Sequence, residues 1–343
     1  MKTVEIVGGG LAGLTLGLCL RQKGVPVDLF EAGTYPRHRV CGEYLSGQGP
    51  ALLCSLVSKE KLLVSGARQS VDLRLYRGAD SLPSRILPQP ALCLSRHRLD
   101  ALLAREFSTH GGQLHLQSRR TSEKAEGRVL ATGRRPEVQE QGWRWIGIKA
   151  HAWDVSIDSG LEMHLTPHGY VGLCAVEENR TNVCGLFRTR EPVPELARDW
   201  RRWLAGAPGS ALATRLHGVR WDEASFSAVS ALALAPRRAA EQEGVRVGDA
   251  LTMIPPLTGN GMSMAVEGAW WAAEPLAAWS SGDLDWSTCT SQIGNRLNRA
   301  FASRLRWAER LQQAVLHPVG QSLAWHLSSL LPFFSGLMFQ KTR

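Results

Sequence analysis

The sequence has no C-x-x-C pair, and its seven cysteines (Cys19, Cys41, Cys54, Cys93, Cys174, Cys184 and Cys289) are odd in number and dispersed. That argues against a disulfide framework and a zinc site, and reduced thiols in a cytoplasm are expected. There is no internal repeat and no low-complexity tract. Residues 6–20 carry no charge, but their glycine spacing and the Arg21-Gln22-Lys23-Gly24 that follows suit a strand, turn and helix better than a targeting segment. No nucleic-acid motif accompanies the formal charge of +9, and the arginines are scattered. Nucleic acid is therefore not expected as a partner, and the basic balance helps gather anionic ligands. Tryptophan is missing from the first 142 residues; all 12 lie beyond them. The 343 residues, 44% hydrophobic and 21% charged, suit a globular protein of one large domain or two ordinary ones.

The stretch Thr3-Val4-Glu5-Ile6-Val7-Gly8-Gly9-Gly10-Leu11-Ala12-Gly13-Leu14 reads as a buried strand, a glycine turn at G-x-G-x-x-G spacing and a helix. Gly8 permits the turn, Gly10 lets bare backbone approach a pyrophosphate, and Gly13 lets helix and strand pack closely. The helix N-terminus offers free N–H groups and its positive dipole end to the phosphates. A second apolar strand, Val25 to Phe30, ends on Glu31, 18 residues past Gly13 and close to the spacing of an acid that binds an adenosine ribose.

Ala32 to Ser46 then form a loop too long for a simple crossover, and loops of that length inside a domain are usually functional. Residues 51–63 are expected to be helical, Val71–Tyr76 a half-buried strand and Leu92–Leu94 another. Ser95 to about His110 should be a helix closed by Gly111-Gly112. Strands are expected near Leu114–Leu116 and at Val129–Ala131, the latter ending on Thr132-Gly133. From Trp143 to about Ser230 short alternating runs dominate: Trp145–His151, Leu161–Leu165, Tyr170–Val176, Thr181–Phe187 and Ser225–Leu232, interrupted by a helix with Trp200 and Trp203. These predict an antiparallel sheet with one helical insertion, facing a ligand. Val245 to Ala250 is a short strand ending in Gly248-Asp249. It leads through Ile254-Pro255-Pro256-Leu257-Thr258-Gly259-Asn260-Gly261 into a helix beginning near Met262. Asp249 can hold a sugar-alcohol hydroxyl, and the N–H groups around Gly261 and Met262 can stabilise negative charge on a ring.

The order of G-x-G-x-x-G, an acid after the second strand, an arginine opening a helix at Arg96, Ala-Thr-Gly, and Gly-Asp with Pro-x-x-Gly-x-Gly resembles one superfamily. It is that of the FAD-dependent oxidoreductases, which includes para-hydroxybenzoate hydroxylase, geranylgeranyl reductases and flavin-dependent halogenases. The resemblance spans essentially the whole chain. It implies an α/β fold with a Rossmann-like FAD-binding domain, an inserted antiparallel β-sheet substrate domain and a helical C-terminus. The expected boundaries are 1–140 with 240–290 for FAD, 141–239 for substrate (with 40–95 contributing to that side), and 291–343 for the C-terminal helices. Gly8, Gly10, Leu11, Ala12, Gly13, Glu31, Ala32, Arg39 and Arg96 would hold the ADP half. Asp249 would take the ribityl chain, and Gly248, Thr132 and Gly133 would also contact the cofactor. Pro256, Gly259, Asn260, Gly261 and Met262 would lie against the flavin. Val40-Cys41-Gly42-Glu43 resembles the segment that passes the flavin ring in geranylgeranyl reductases, which makes Cys41 a candidate neighbour of the ring.

The resemblance implies oxidation of a hydrophobic or aromatic small molecule, foremost monooxygenation (hydroxylation). Reduction of C=C bonds in an isoprenoid or polyketide chain is the alternative, and a non-catalytic flavin-binding protein the reading of another class. The Trp-x-Trp-x-Ile-Pro of halogenases is absent, and the Tyr-x-Trp-x-Phe-Pro of geranylgeranyl reductases survives only as Tyr170. Thr132 stands where the hydroxylases carry aspartate before glycine; NAD(P)H is expected as a transient reductant, without a nicotinamide domain of its own. Lys149, His151, His168 and Tyr170 are candidates for acid–base work, with Cys41, Lys149 and Tyr170 foremost, and no metal is expected. Residues 311–340 carry no Asp, Glu, Lys or Arg. They predict either short helices packed as a wall or a peripheral membrane contact supported by Arg296, Arg299, Arg304, Arg306 and Arg310. Their polar residues, prolines and glycines interrupt any run of the roughly 20 apolar residues that a spanning helix needs.

Overall fold

A computed structural model describes residues 1–121, 123–134, 144–190, 198–230, 232, 234, 236–316, 320–323 and 325–326. Two sheets organise it. In the smaller one the strands lie in the order Val245–Arg246, Arg128–Leu130, Val4–Val7, Val27–Phe30 and Gln113–His115, all parallel. Parallel strands covered on both faces read as near-continuous apolar runs, and Val4–Val7 and Val27–Phe30 are apolar except for the half-buried Glu5 and Asp28. The helix Leu11–Gln22 between them is buried without interruption from Leu11 to Leu20. It is enclosed between this sheet and the helices Arg96–Thr109 and Gly261–Ser281. Ser95 caps the helix Arg96–Thr109 by accepting from the N–H of Arg98, and Gly111 closes it at φ +78°.

The larger sheet runs in the order Arg220–Ser230, Arg144–Trp153, Thr181–Thr189, Gly169–Ala175, Leu161–Thr166, Arg68–Arg77, Arg85–Cys93 and Tyr44–Leu45, with Asp80–Ser81 paired to Arg68–Arg77. Residues 44–93 thus complete the same sheet as residues 144–230. The joint between the two segments, Leu161–Thr166 against Arg68–Arg77, is parallel; the other neighbouring pairs are antiparallel. The sheet is therefore mixed rather than purely antiparallel.

Several boundaries differ from the sequence-based expectation for identifiable reasons. Residues 51–63 are two helices, Gly49–Leu56 and Lys59–Val64, because Ser58 caps the second by accepting from Lys61 N–H. The strand expected at Leu92–Leu94 begins at Arg85. Pro88 and Pro90 obscure it in the sequence, and both fall where the register with Arg68–Arg77 shifts. The strand expected from Ser225 starts at Arg220, with an irregularity between Asp222 and Ser227. The helix Trp286–Leu316 packs on Gly261–Ser281 and runs across the boundary expected at residue 290. The boundary at 140 and the apolar residues 330–339 lie outside the described residues. Of the five arginines on this helix, Arg304 pairs with the buried Glu267 at 2.6 Å and so is not a solvated charge, whereas Arg296 pairs at 2.7 Å with the largely exposed Glu274. Farther on, Trp325 receives the Arg77 guanidinium 5.1 Å from its ring centroid. No helix among the described residues is long and apolar enough to cross a membrane.

Candidate functional site

The first glycine turn is fixed by backbone crowding. Gly8 has φ +110°, and a Cβ there would stand 2.3 Å from the Ala131 carbonyl oxygen; a Cβ on Gly13 would stand 2.0 Å from the Gly8 carbonyl oxygen. Glu31 closes the turn, because its carboxylate accepts from Gly9 N–H at 2.9 Å and Gly33 N–H at 2.8 Å and pairs with Arg37 at 2.6 Å. Burial opposes its charge, yet the hydrogen bonds from Arg37 and Gly33 and the charges of Arg37 and Arg39 hold its pKa below the ordinary glutamate range. Among the described residues Oε1 accepts from one N–H, so it retains acceptor capacity for a hydroxyl.

The second turn has Gly259 in the left-handed region at φ +61°, and the helix that follows has no side-chain cap. Its first N–H groups are the unpaired donors of a helix start. Ser46 and Ser263 tie this turn to the small strand Tyr44–Leu45, Ser46 Oγ donating to the Gly259 carbonyl at 3.2 Å. Asp249 meets the cavity and is otherwise enclosed by protein. Burial raises its pKa, opposed by the charges of Arg96 and Arg134, and no donor among the described residues bonds it.

Between the turns lies one cavity of about 1440 Å³. Of the residues assigned to the cofactor from sequence, all line it except Gly13, packed beneath the turn, and Asn260, buried behind the second. Its other wall is the larger sheet, including Gly147, Met163, Tyr170, Leu186 and Val229. A pocket for one drug-sized ligand is roughly 300–1,000 Å³, so this one holds an extended molecule with space beside it.

The three catalytic candidates separate. Cys41 lines the cavity, but burial pushes its thiol pKa up against the opposing charge of Arg96, so the thiol stays protonated and weakly nucleophilic. Tyr170 also lines the cavity; it is 4% exposed, its hydroxyl has no partner among the described residues, and burial keeps it a protonated donor. Lys149 does not line the cavity. It is fully buried, 3.3 Å from Glu43 Oε1 and 3.2 Å from His38 Nδ1. His151 likewise lies behind the wall, its Nε2 2.6 Å from Glu43 Oε2, and His168 is exposed at a strand turn.

Glu43 therefore anchors a buried ionic cluster that sequence reasoning did not single out. It sits at φ +54°, accepts Arg96 N–H at 3.0 Å, and lines the cavity through the 41–43 segment. Burial raises its pKa, but the His151 hydrogen bond and the Lys149 charge prevail and lower it. Asn182 and Cys174 hold the segment from the sheet by donating to the Cys41 and Gly42 carbonyls. His38, on the same loop, stacks on His97 with centroids 4.4 Å apart. The sequence signals near these residues were the length of the Ala32–Ser46 loop, the Val40-Cys41-Gly42-Glu43 segment and the strand positions of Lys149 and His151; none of them showed that Glu43 joins the lysine and the histidine.

Residues 6–42 match the family described as NAD(P)-binding Rossmann-like domain. No curated protein matches the chain. Among solved structures, the flavin-dependent brominase Bmp2 superposes with a TM-score of 0.76 at 16% identity, over 98% of this chain and 92% of that one. The fold is that of the flavin-dependent halogenases and monooxygenases. The myxobacterial chondrochloren halogenase CndH gives a TM-score of 0.74 at 16% identity over 90% and 82% of the two chains. PqsL of Pseudomonas aeruginosa, described as a probable FAD-dependent monooxygenase, gives 0.71 at 15% over 94% and 98%. This flavoenzyme fold agrees with the α/β, Rossmann-like architecture expected from sequence.

Proposed function

We infer that this protein binds FAD and oxidises a hydrophobic or aromatic small molecule, most simply by monooxygenation. The observation that carries this reading is the single cavity joining two glycine turns and opening beside them onto an apolar sheet face. The lining fits an extended dinucleotide. Gly10 presents bare backbone, an added Cβ meeting only Arg96 Nη2 at 3.8 Å, and Asp249 offers a carboxylate with no donor among the described residues. Arg39, Arg96 and Arg134 supply positive charge against a pyrophosphate. The bound flavin would supply the two-electron chemistry. Around it the protein's part is to exclude water with Met163, Leu186 and Val229 and to orient substrate through the Tyr170 hydroxyl. NAD(P)H would enter the same cavity as a transient reductant.

The test is the purified protein with FAD, reduced anaerobically by NAD(P)H and then given air with phenolic and other aromatic substrates, with and without bromide. Substrate-dependent oxygen uptake with oxygen in the product supports the reading. Brominated product would move it toward the halogenases, and saturated product without air toward the C=C reductases. No stoichiometric yellow cofactor would overturn it.

A further inference from the structure

His38 stands on the cavity wall, half-buried, with two ring nitrogens in different settings. Nδ1 is 3.2 Å from Lys149 Nζ, and no protein group among the described residues bonds Nε2. A lysine ammonium has donors and no acceptor, so Nδ1 must accept and the imidazole proton is placed on Nε2. Lys149 is held in turn by Glu43, which also binds His151. The groups that face the ring from the surrounding elements are mostly basic or neutral. They are Glu43 on the same segment, His97 stacked from the helix Arg96–Thr109, and Lys149 and His151 (edge-on at 5.3 Å) from the strand Arg144–Trp153. Burial and then the Lys149 charge depress the His38 pKa to about 4, so the ring is neutral across the physiological range.

The geometry points to His38 as the residue that donates a hydrogen bond to an anionic oxygen of a ligand in the cavity, with Lys149 as the positioning residue that fixes its tautomer. The ligand class, a phenol or enol bound as its oxyanion, rests on the oxidoreductase reading above. The Lys149 charge, relayed through a polarised imidazole, favours the oxyanion over the neutral hydroxyl without placing a second cation in the cavity.

The test uses the FAD-loaded protein and 4-nitrophenol, with binding and ionisation read from the nitrophenolate band in difference spectra between about pH 5 and 9. Affinity should rise as the probe ionises and then stay level. His38→Phe, compared at equal flavin occupancy, should weaken nitrophenolate binding about tenfold while leaving the neutral phenol nearly unaffected, the loss expected for one hydrogen bond to a charged group. Lys149→Arg keeps a cationic donor to Nδ1 and should retain most of the preference, an outcome that packing alone would not give. The proposal is overturned by a His38→Phe variant that binds nitrophenolate as the wild type does. It is equally overturned by affinity that falls with rising pH, as a cationic imidazole requires, or by a protein that prefers the neutral phenol. Failure to take up FAD, seen before any probe is added, would instead remove the functional reading beneath it.

Discussion

The larger sheet buries one glutamate against each face, and the two are built from similar parts. Lys149, Cys184, Gly172 and Met163 are register partners on the face toward the cavity, and Ala150, Val183, Leu173 and Glu162 are partners on the opposite face. Glu43 approaches the first face from the loop; Glu162 belongs to the second. Glu162 accepts from Asp158 N–H at 2.6 Å, His164 at 3.0 Å and Arg215 at 3.1 Å, and Arg215 also reaches Asp158, which is half exposed. Its arginine cannot change charge, and its outer edge meets solvent. Glu43 has a fully buried lysine and a fully buried histidine, and beyond the lysine a half-buried imidazole that reaches the cavity. Similar residues make a strut on one face and a charged backing for a binding wall on the other. What distinguishes them is whether the last group in the network meets water outside or the cavity within.

Three perturbations would break or sharpen that contrast. The largest effect is expected for Glu43→Gln, which leaves Lys149 buried without its counter-charge. A loss of roughly 3–5 kcal/mol is typical when one partner of a buried pair is removed, and urea unfolding at neutral pH would read it. Glu162→Gln should cost less, about 1.5–3 kcal/mol for hydrogen bonds to a charged group, because Arg215 keeps Asp158 and access to solvent. Equal losses at the two sites would erase the distinction drawn here. The smallest effect is a change of slope with pH. Glu43 and Glu162 have depressed pKa values, so their stabilisation is complete above the ordinary carboxylate range and is lost as pH falls through their folded values. His38, held at about 4, takes up a proton more readily in the unfolded chain, so stability falls as pH drops from the ordinary imidazole value toward 4. His38→Phe should flatten that higher interval and leave the carboxylate-dependent loss at lower pH; unchanged slopes in both would show that His38 does not contribute.

How legible these features are in the sequence follows from what specifies them. The glycine turns could be read because Gly8 and Gly13 press against backbone, a requirement that few residue types meet and that spacing along the chain reports directly. The small parallel sheet could be read because its central strands Val4–Val7, Val27–Phe30 and Arg128–Leu130 are mostly apolar and two of them run straight into a glycine turn. The Glu43 cluster could not. Glu43 and Lys149 are 106 positions apart (149 minus 43), and only strand register and the fold of the Ala32–Ser46 loop bring them together. Lys149 and His151 could be put on a strand of the sheet expected to face a ligand, but the sequence could not show that Glu43 covers them. Tyr170 reaches the cavity because no such loop lies over it. The mixed character of the sheet escaped for the same reason, since the parallel joint between Leu161–Thr166 and Arg68–Arg77 belongs to no local pattern.

The start of the chain is sewn to a point far downstream. Lys2 donates its backbone N–H to the Ser280 carbonyl at 2.7 Å and accepts from Ser280 Oγ at 2.6 Å, so the end of the helix that opens at the second glycine turn secures the first strand. The strand Val4–Val7 finds its sheet partners within the first 130 residues, but this last tie can form only once the chain has reached residue 280. Removing the Ser280 hydroxyl would therefore unfasten one edge of the dinucleotide-fold strand from a position 278 residues away along the chain.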